Sequence, residues 1–242
     1  MNLIIDQGNS AAKIAFFEGK TLVKSFQLEK LDRAGLSAFV DNFFLEAGIL
    51  SAVNKVDVEL YSFLSDTLSV FYNLNSYLPL PLAIDYKTPQ TLGVDRIAAA
   101  VGAWVQRPHT NLLIIDLGTA ITFDWVTAQG VFKGGNISPG PDLRLRALHQ
   151  FTDRLPLVSL EGDTPSLGYD TSTAIRSGVV EGIVREVDSY IDEYKKNQDV
   201  FTFLTGGYSF YFESKLKSSI FADGNLVLKG LNEILNYQKR KE

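Results

Sequence analysis

A chain of 242 residues, 45% hydrophobic and 21% charged, is long enough to bury one large or two modest cores. Its net charge of −5 leaves no basic footprint for nucleic acid, its lack of cysteine excludes disulfides, thiolate metal centres and a cysteine nucleophile, and its two histidines offer little for a histidine-based metal site. With no secretory leader and no apolar run near the ~20 residues that span a bilayer, the expectation is a cytoplasmic protein with small-molecule partners, no nucleic acid and no membrane.

Residues 3–17, LIIDQGNSAAKIAFF, open with an apolar run that Asp6 closes just before Gly8. Alternation then resumes, the pattern of a β-hairpin with a carboxylate at its turn. Residues 20–28 extend that sheet, and residues 31–47 set Leu36, Phe39, Val40, Phe43 and Phe44 at helical spacing. A strand over 56–61, a helix over 65–73 and a strand over 82–85 continue an α/β alternation. Pro79, Pro81 and Pro89 break the chain around YKTPQTLGVDR, which feeds a helix over 96–106 with a small, apolar AAAVGAW face. A seam near residues 107–111 divides the chain into an N-terminal half, 1–108, and a C-terminal half, 109–242.

Residues 112–126, LLIIDLGTAITFDWV, repeat the opening unit. Leu113-Ile114-Ile115-Asp116 matches Leu3-Ile4-Ile5-Asp6, Gly118 matches Gly8, and the two aspartates lie 110 positions apart. Two copies are too few for a solenoid and read as a duplicated domain. Gly118 is expected to turn with positive φ and let the backbone approach a ligand, while Thr119 adds a hydroxyl beside freed backbone N–H groups. Singly, such a loop is more often a plain turn. As a pair, the loops favour a nucleotide gripped by its phosphates, with a metal near the carboxylates.

Residues 134–140, GGNISPG, form a second glycine-dense loop, suited to close approach of a substrate or another chain or to a plain surface turn, and lead into a helix over 143–151. Asp170, Thr171 and Ser172 can each cap the helix that follows to about residue 195, on which Val180, Ile183, Val184, Val187, Tyr190, Ile191 and Tyr194 form a stripe, either core or a subunit contact. A strand over 200–204 ends in Thr205-Gly206-Gly207, where a flat ring could lie against the backbone or a tight β-α turn could simply close, with a helix after it. No Walker A loop, Gly-x-Gly-x-x-Gly fingerprint, Gly-x-Ser-x-Gly elbow or His-Glu-x-x-His motif occurs. Asp95 suits either a general base or the N-cap of the helix starting at Arg96. Arg96 suits an anion contact or a solvated surface position, and Lys13 a phosphate contact or the polar face of a strand.

DQGNS at Asp6, YKTPQTLGVDR at Tyr86, DLGTAITFD at Asp116, GGNISPG at Gly134, YDTSTAIRSG at Tyr169 and TGG at Thr205 together resemble, in order and spacing, the type III pantothenate kinases of the acetate-kinase, sugar-kinase, Hsp70 and actin superfamily. The resemblance implies two duplicated actin/ribonuclease-H-like α/β domains with mixed sheets flanked by helices. It implies ATP phosphates held by Asp6, Gly8, Asn9, Ser10 and Lys13 in one loop and by Gly118 and Thr119 in the other, with Gly206 and Gly207 facing the adenosine. Asp95 is implied as general base, with Gly93, Arg96, Tyr86 and a partner subunit's threonine, equivalent to Thr171, around pantothenate in a homodimer with a shared site. Mg²⁺ near Asp6 and a monovalent cation, K⁺ or NH₄⁺, near Asp116 complete it. Ser10 stands where threonine is usual and keeps the hydroxyl, whereas Asp170 replaces a usual asparagine and adds a charge. Two functions from different classes follow: an ATP-dependent kinase making 4'-phosphopantothenate for coenzyme A, with Asp95 as base, or a catalytically silent nucleotide-binding regulator of the same fold. Keeping Asp6, Asp95 and Asp116 together favours the enzyme.

Overall fold

The first sheet is built around a strand that ends in a carboxylate. In the computed structural model, which describes residues 1–9, 11–40, 43–52, 56–75, 77–196 and 198–241, β1 (Asn2–Gln7) pairs antiparallel with β2 (Ala12–Glu18), and β2 pairs with β3 (Thr21–Leu28). Next come α1 (Arg33–Val40), β4 (Ala47–Ala52), α2 (Val58–Thr67), β5 (Val70–Asn73), the short β6 (Ala83–Ile84) and α3 (Val94–Gln106). β4 runs parallel to β1 and β5 parallel to β4, so the sheet has the order β3-β2-β1-β4-β5.

The second half contains β7 (Leu112–Leu117), β8 (Ala120–Val126), β9 (Val131–Pro139), α4 (Pro141–Gln150), α5 (Thr171–Lys195), β10 (Phe201–Thr205), α6 (Ser209–Glu213), β11 (Phe221–Ala222) and α7 (Leu226–Lys239). Its strands lie in the order β9-β8-β7-β10-β11, the first sheet's order again, with β6 added parallel to β9. β10 is parallel to both β7 and β11, as β4 is to β1 and β5. Duplication read from one short motif thus extends to the topology of both sheets.

Compact units divide the chain less simply than one seam. One unit comprises Met1–Thr110, Val126–Gly134 and Asn225–Glu242; the other comprises Asn111–Trp125 and Gly135–Gly224. The passage at Thr110 falls inside the expected 107–111 segment, where His109 has φ 59°, while α7 packs with the first unit, to which it is not adjacent in sequence.

In the first unit one core gathers Leu3, Ile5, Ile14, Phe16, Leu36, Leu50, Leu60 and Leu64, with Phe16 stacked on Phe43 at 4.1 Å and Phe26 on Phe39 at 3.9 Å. Each such side chain contributes ~1.5–3 kcal/mol by leaving water. The small AAAVGAW face has its explanation in α7. A Cβ on Gly102 would strike the Leu226 carbonyl and one on Gly230 the Ala98 carbonyl, so both glycines are what let α3 and α7 cross closely. The buried Asn2 side chain donates to Asn232 at 2.8 Å and Asn236 at 2.9 Å, tying β1 to α7.

In the second unit the α5 stripe is core. Val180, Ile183, Val187 and Ile191 are buried beside Leu113, Ile115 and Phe123, while Tyr190 stacks on Phe123 at 3.9 Å and Tyr194 on Trp125 at 4.9 Å. Those residues are spent inside the unit rather than on a subunit contact.

Several expected elements change type. The helix expected over 31–47 is described only as Arg33–Val40, and its end belongs to β4, a strand buried along nearly its whole length. The expected strand over 56–61 is instead the start of α2, because the Asp57 side chain accepts the Glu59 N–H at 2.8 Å and caps a helix there. The expected helix over 65–73 gives way to β5, whose Val-Phe-Tyr run favours a strand. GGNISP, residues 134–139, is not a loop but the end of β9, Gly140 caps α4, and α4 begins at Pro141, two residues earlier than expected.

Candidate functional site

In the first unit Asp6 is the penultimate residue of β1, with Lys13 opposite it on β2 and Ser51 opposite it on β4. Burial raises the Asp6 carboxyl from its ordinary 3.8 to about 6, helped by the charge of Asp95, while Lys13 and the Ser51 hydroxyl pull it the other way. Asp6, Lys13 and Asp95, singled out separately in the sequence, therefore act on one another. The turn beyond β1 closes with the Gly8 N–H donating to the Ala11 carbonyl at 3.1 Å and leaves Asn9 exposed. Ser10 lies outside the described residues.

Asp95 is not a helix N-cap. α3 begins at Val94 with Gly93 as its cap, and Asp95 lies within the first turn, its Oδ1 accepting the Arg96 N–H at 2.9 Å. A carboxylate suits the positive end of a helix. Gly93 has an ordinary φ of −57° and is glycine for space, since a Cβ there would stand 2.5 Å from Asp95 Oδ1.

Arg96 is no surface arginine either. Only 6% exposed, its guanidinium carbon lies 6.0 Å from the Tyr86 ring centre and 5.9 Å from that of Phe132. Tyr86 and Phe132 meet edge to face at 6.2 Å, and Gly134, at φ 110°, comes so close to the Tyr86 ring that a Cβ would sit 3.1 Å from it. β6 delivers Tyr86 to this place: the Asp85 N–H donates to the Phe132 carbonyl at 2.9 Å, and Lys133 pairs with Asp85 at 2.6 Å.

In the second unit Asp116 ends β7 opposite Thr205 of β10, as Asp6 stands opposite Ser51. Gly118 does not have the expected positive φ; a Cβ there would stand 3.0 Å from Asp116 Oδ1, so the glycine clears room for the carboxylate. The positive φ, 95°, is at Gly206, where a Cβ would come within 2.5 Å of Asp116 Oδ1 and of the Leu117 backbone. Gly207 is exposed with open space where a Cβ would stand, and Thr119 is exposed in the loop after β7. Gly140 fits against Gly118 and Thr119, its N–H donating to the Thr119 carbonyl at 3.0 Å, so the start of α4 rests on the second aspartate loop.

Tyr208 and Phe132 were invisible in the sequence, although each lies within two residues of a motif glycine. Tyr208 donates its N–H to the Leu117 carbonyl at 2.9 Å and its hydroxyl to Asp142 at the start of α4, and burial together with Asp142 pushes that phenol up to about 12. Thr171 is exposed at the first turn of α5, capped by Asp170, which accepts the Thr173 N–H at 2.7 Å and is thereby held below the usual carboxylate range. Beside Thr171 an apolar groove of about 810 Å³ runs between α4 and α5, lined by Leu148, Phe151, Leu155, Ile175 and Val179.

Among the described residues no three His, Cys, Asp or Glu groups could jointly hold a metal, and no helix is long and apolar enough to cross a membrane. Asp6 and Asp95, close enough for the charge of one to act on the other, are nonetheless oxygen donors of the kind that a hard divalent cation takes one or two of, completing its shell from phosphate and water.

A profile of the type III pantothenate kinases matches residues 2–193. A type III pantothenate kinase of Azobacteroides pseudotrichonymphae is 55% identical over 240 residues, covering 99% of this chain and 98% of that one, and one of Bacteroides fragilis is 47% identical over 238 residues, covering 98% of each. Among solved structures, a Baf family protein from Campylobacter jejuni superposes with a TM-score of 0.64 over 98% of this chain and 99% of that one, which at 23% identity speaks for the fold alone. Doubled strand order, two hairpins that carry an aspartate at the turn and similarity along nearly the whole chain converge: the chain belongs to the type III pantothenate kinase family.

Proposed function

We propose that the chain transfers the γ-phosphoryl group of ATP to the primary hydroxyl of pantothenate, giving 4'-phosphopantothenate in the cytoplasm, and that Asp95 accepts the proton of that hydroxyl. The observation that carries this reading is the grouping of Asp6, Lys13, Asp95, Arg96 and Tyr86 in one unit, with Asp95 on a helix start and Arg96 buried under two rings. Phosphoryl transfer through a loose transition state asks the protein for positioning, charge neutralisation and a proton acceptor. Asp6 offers an oxygen to Mg²⁺, which would supply charge neutralisation at the phosphates when bound, while Lys13 counters the remaining negative charge. Gly8, Asn9, Ser10, Gly118 and Thr119 present backbone and hydroxyl donors to phosphate, and Gly206 and Gly207 leave a bare surface for adenosine. Gly93 gives the Asp95 carboxylate its room, and Arg96 with Tyr86 binds the pantothenate carboxylate end. Asp116, cleared on both sides by glycines, suits a monovalent cation, K⁺ or NH₄⁺.

The protein works as a homodimer in this reading. Its support is the apolar groove between α4 and α5, where Phe151 is 80% exposed, adjoining the exposed Thr171 that would complete a partner's pantothenate site. A coupled assay with ATP, Mg²⁺, K⁺ and pantothenate tests the activity, and Asp95→Asn tests the base. Asn Oδ1 can still accept the Arg96 N–H, so folding and both affinities should persist while turnover falls ~10²–10⁴-fold. Wild-type turnover in folded Asp95→Asn overturns the base assignment; no pantothenate-dependent ATP consumption by the parent overturns the kinase.

A further inference from the structure

We propose that Phe132 is a positioning residue that determines acceptor specificity: its ring, wedged against Tyr86, fixes the Arg96 guanidinium where it reads a carboxylate. This deepens the acceptor-site reading above and rests on it.

Phe132 is fully buried on β9, and its ring centre lies 5.9 Å from the Arg96 guanidinium carbon, nearly the same separation as Tyr86 on its own ring, 6.0 Å. An arginine side chain has many rotamers, and ring faces restrict a guanidinium through cation–π attraction without engaging its N–H edge. Nothing charged is needed for that restriction. The wedge itself is held from behind. Phe132 shares the parallel register of Ile84, and its carbonyl accepts the Asp85 N–H, so the residue just before Tyr86 is fastened to the residue that supports Arg96. Gly134, two positions on, leaves the space the Tyr86 ring occupies. One short β6–β9 pairing therefore sets the aromatic walls and, through them, the direction of the cation. A guanidinium so fixed discriminates by charge: an acceptor with the same hydroxyl but no carboxylate forgoes the charge-assisted contact with Arg96 that pantothenate makes, a difference that favours the anionic acceptor.

The test compares pantothenate with its neutral analogue bearing a primary alcohol in place of the carboxylate, as the ratio of their kcat/KM values. Phe132→Leu keeps an apolar filler but removes the ring, and Phe132→Met does so with a longer, more adaptable chain should the leucine variant fold poorly. For whichever variant is folded, KM for pantothenate should rise about tenfold, kcat and KM for ATP should stay near wild type, and the ratio should fall about tenfold. Arg96→Ala should collapse the ratio further, and adding Phe132→Leu to it should change nothing more, because both act through one cation. Equal losses for the two acceptors, or full additivity in the double variant, would show that the ring merely supports the fold and would overturn the inference. An unchanged ratio in Arg96→Ala would instead overturn the acceptor-site reading beneath it.

Discussion

Replacing Asp6 with asparagine should make the ligand-free protein more stable and at the same time inactive. The folded carboxyl titrates at about 6 against an ordinary 3.8, chiefly through burial and then through the charge of Asp95. Because the folded state holds this proton more tightly than the unfolded chain does, ionising Asp6 opposes folding. The penalty is absent below about pH 4, where both states are protonated, grows as the unfolded chain ionises, and is complete above about pH 6. A difference of that size corresponds to roughly 3 kcal/mol, and with Asp6 only half-buried roughly 2–3 kcal/mol is the better figure. Asparagine keeps the shape and removes the charge. For a chain of this size the gain translates into a Tm higher by roughly 4–10 °C at pH 8, shrinking towards zero near pH 4. Thermal unfolding of both proteins in EDTA without nucleotide, at pH 8 and pH 4, measures it, and the coupled assay measures the lost phosphorylation. Absence of a gain at pH 8, or a gain just as large at pH 4, would refute the electrostatic account.

Three further outcomes are expected. Gly230→Ala should destabilise by ~1–3 kcal/mol or more, since its methyl would meet the Ala98 carbonyl, whereas Gly182→Ala, with only ordinary contact at 3.8 Å inside α5, should gain ~0.5–1 kcal/mol; urea midpoints distinguish them. Asp170→Ala should cost ~1 kcal/mol by removing the α5 cap, while Asp170→Asn should keep both stability and the pantothenate KM, as thermal scans and kinetics would reveal. Mixing inactive Asp95→Asn with inactive Thr171→Arg should restore activity through mixed dimers holding one intact site; no recovery after proven subunit exchange would argue for sites completed within single chains.

What could be read from the chain followed what is locally encoded. Both hairpins were legible because antiparallel strands alternate and because LIID occurs twice. β4 went unread because a parallel strand buried on both faces carries no alternation, and the start of α2 read as a strand because Val56 and Val58 outweighed the cap that Asp57 supplies. The α5 stripe could not be resolved between core and interface, since both present the same apolar periodicity; packing against Phe123 and Trp125 decides it. At the site, motif residues were legible, but their reasons were not. Gly93 and Gly118 are glycines for room beside a carboxylate rather than for a turn, and Phe132 and Tyr208 act only through partners far away in sequence.

The close crossing of α3 and α7 also orders events in time. α3 carries Asp95 and Arg96, yet the helix that beds it is made more than a hundred residues later. On a ribosome delivering ~5–20 residues per second, the first half must wait several seconds or longer with α3's small-residue face unburied. The opening hairpin can form early, but α3 is seated only once α7 has been made. A polypeptide ending before α7 would therefore leave α3 without its bed while keeping every motif that precedes it.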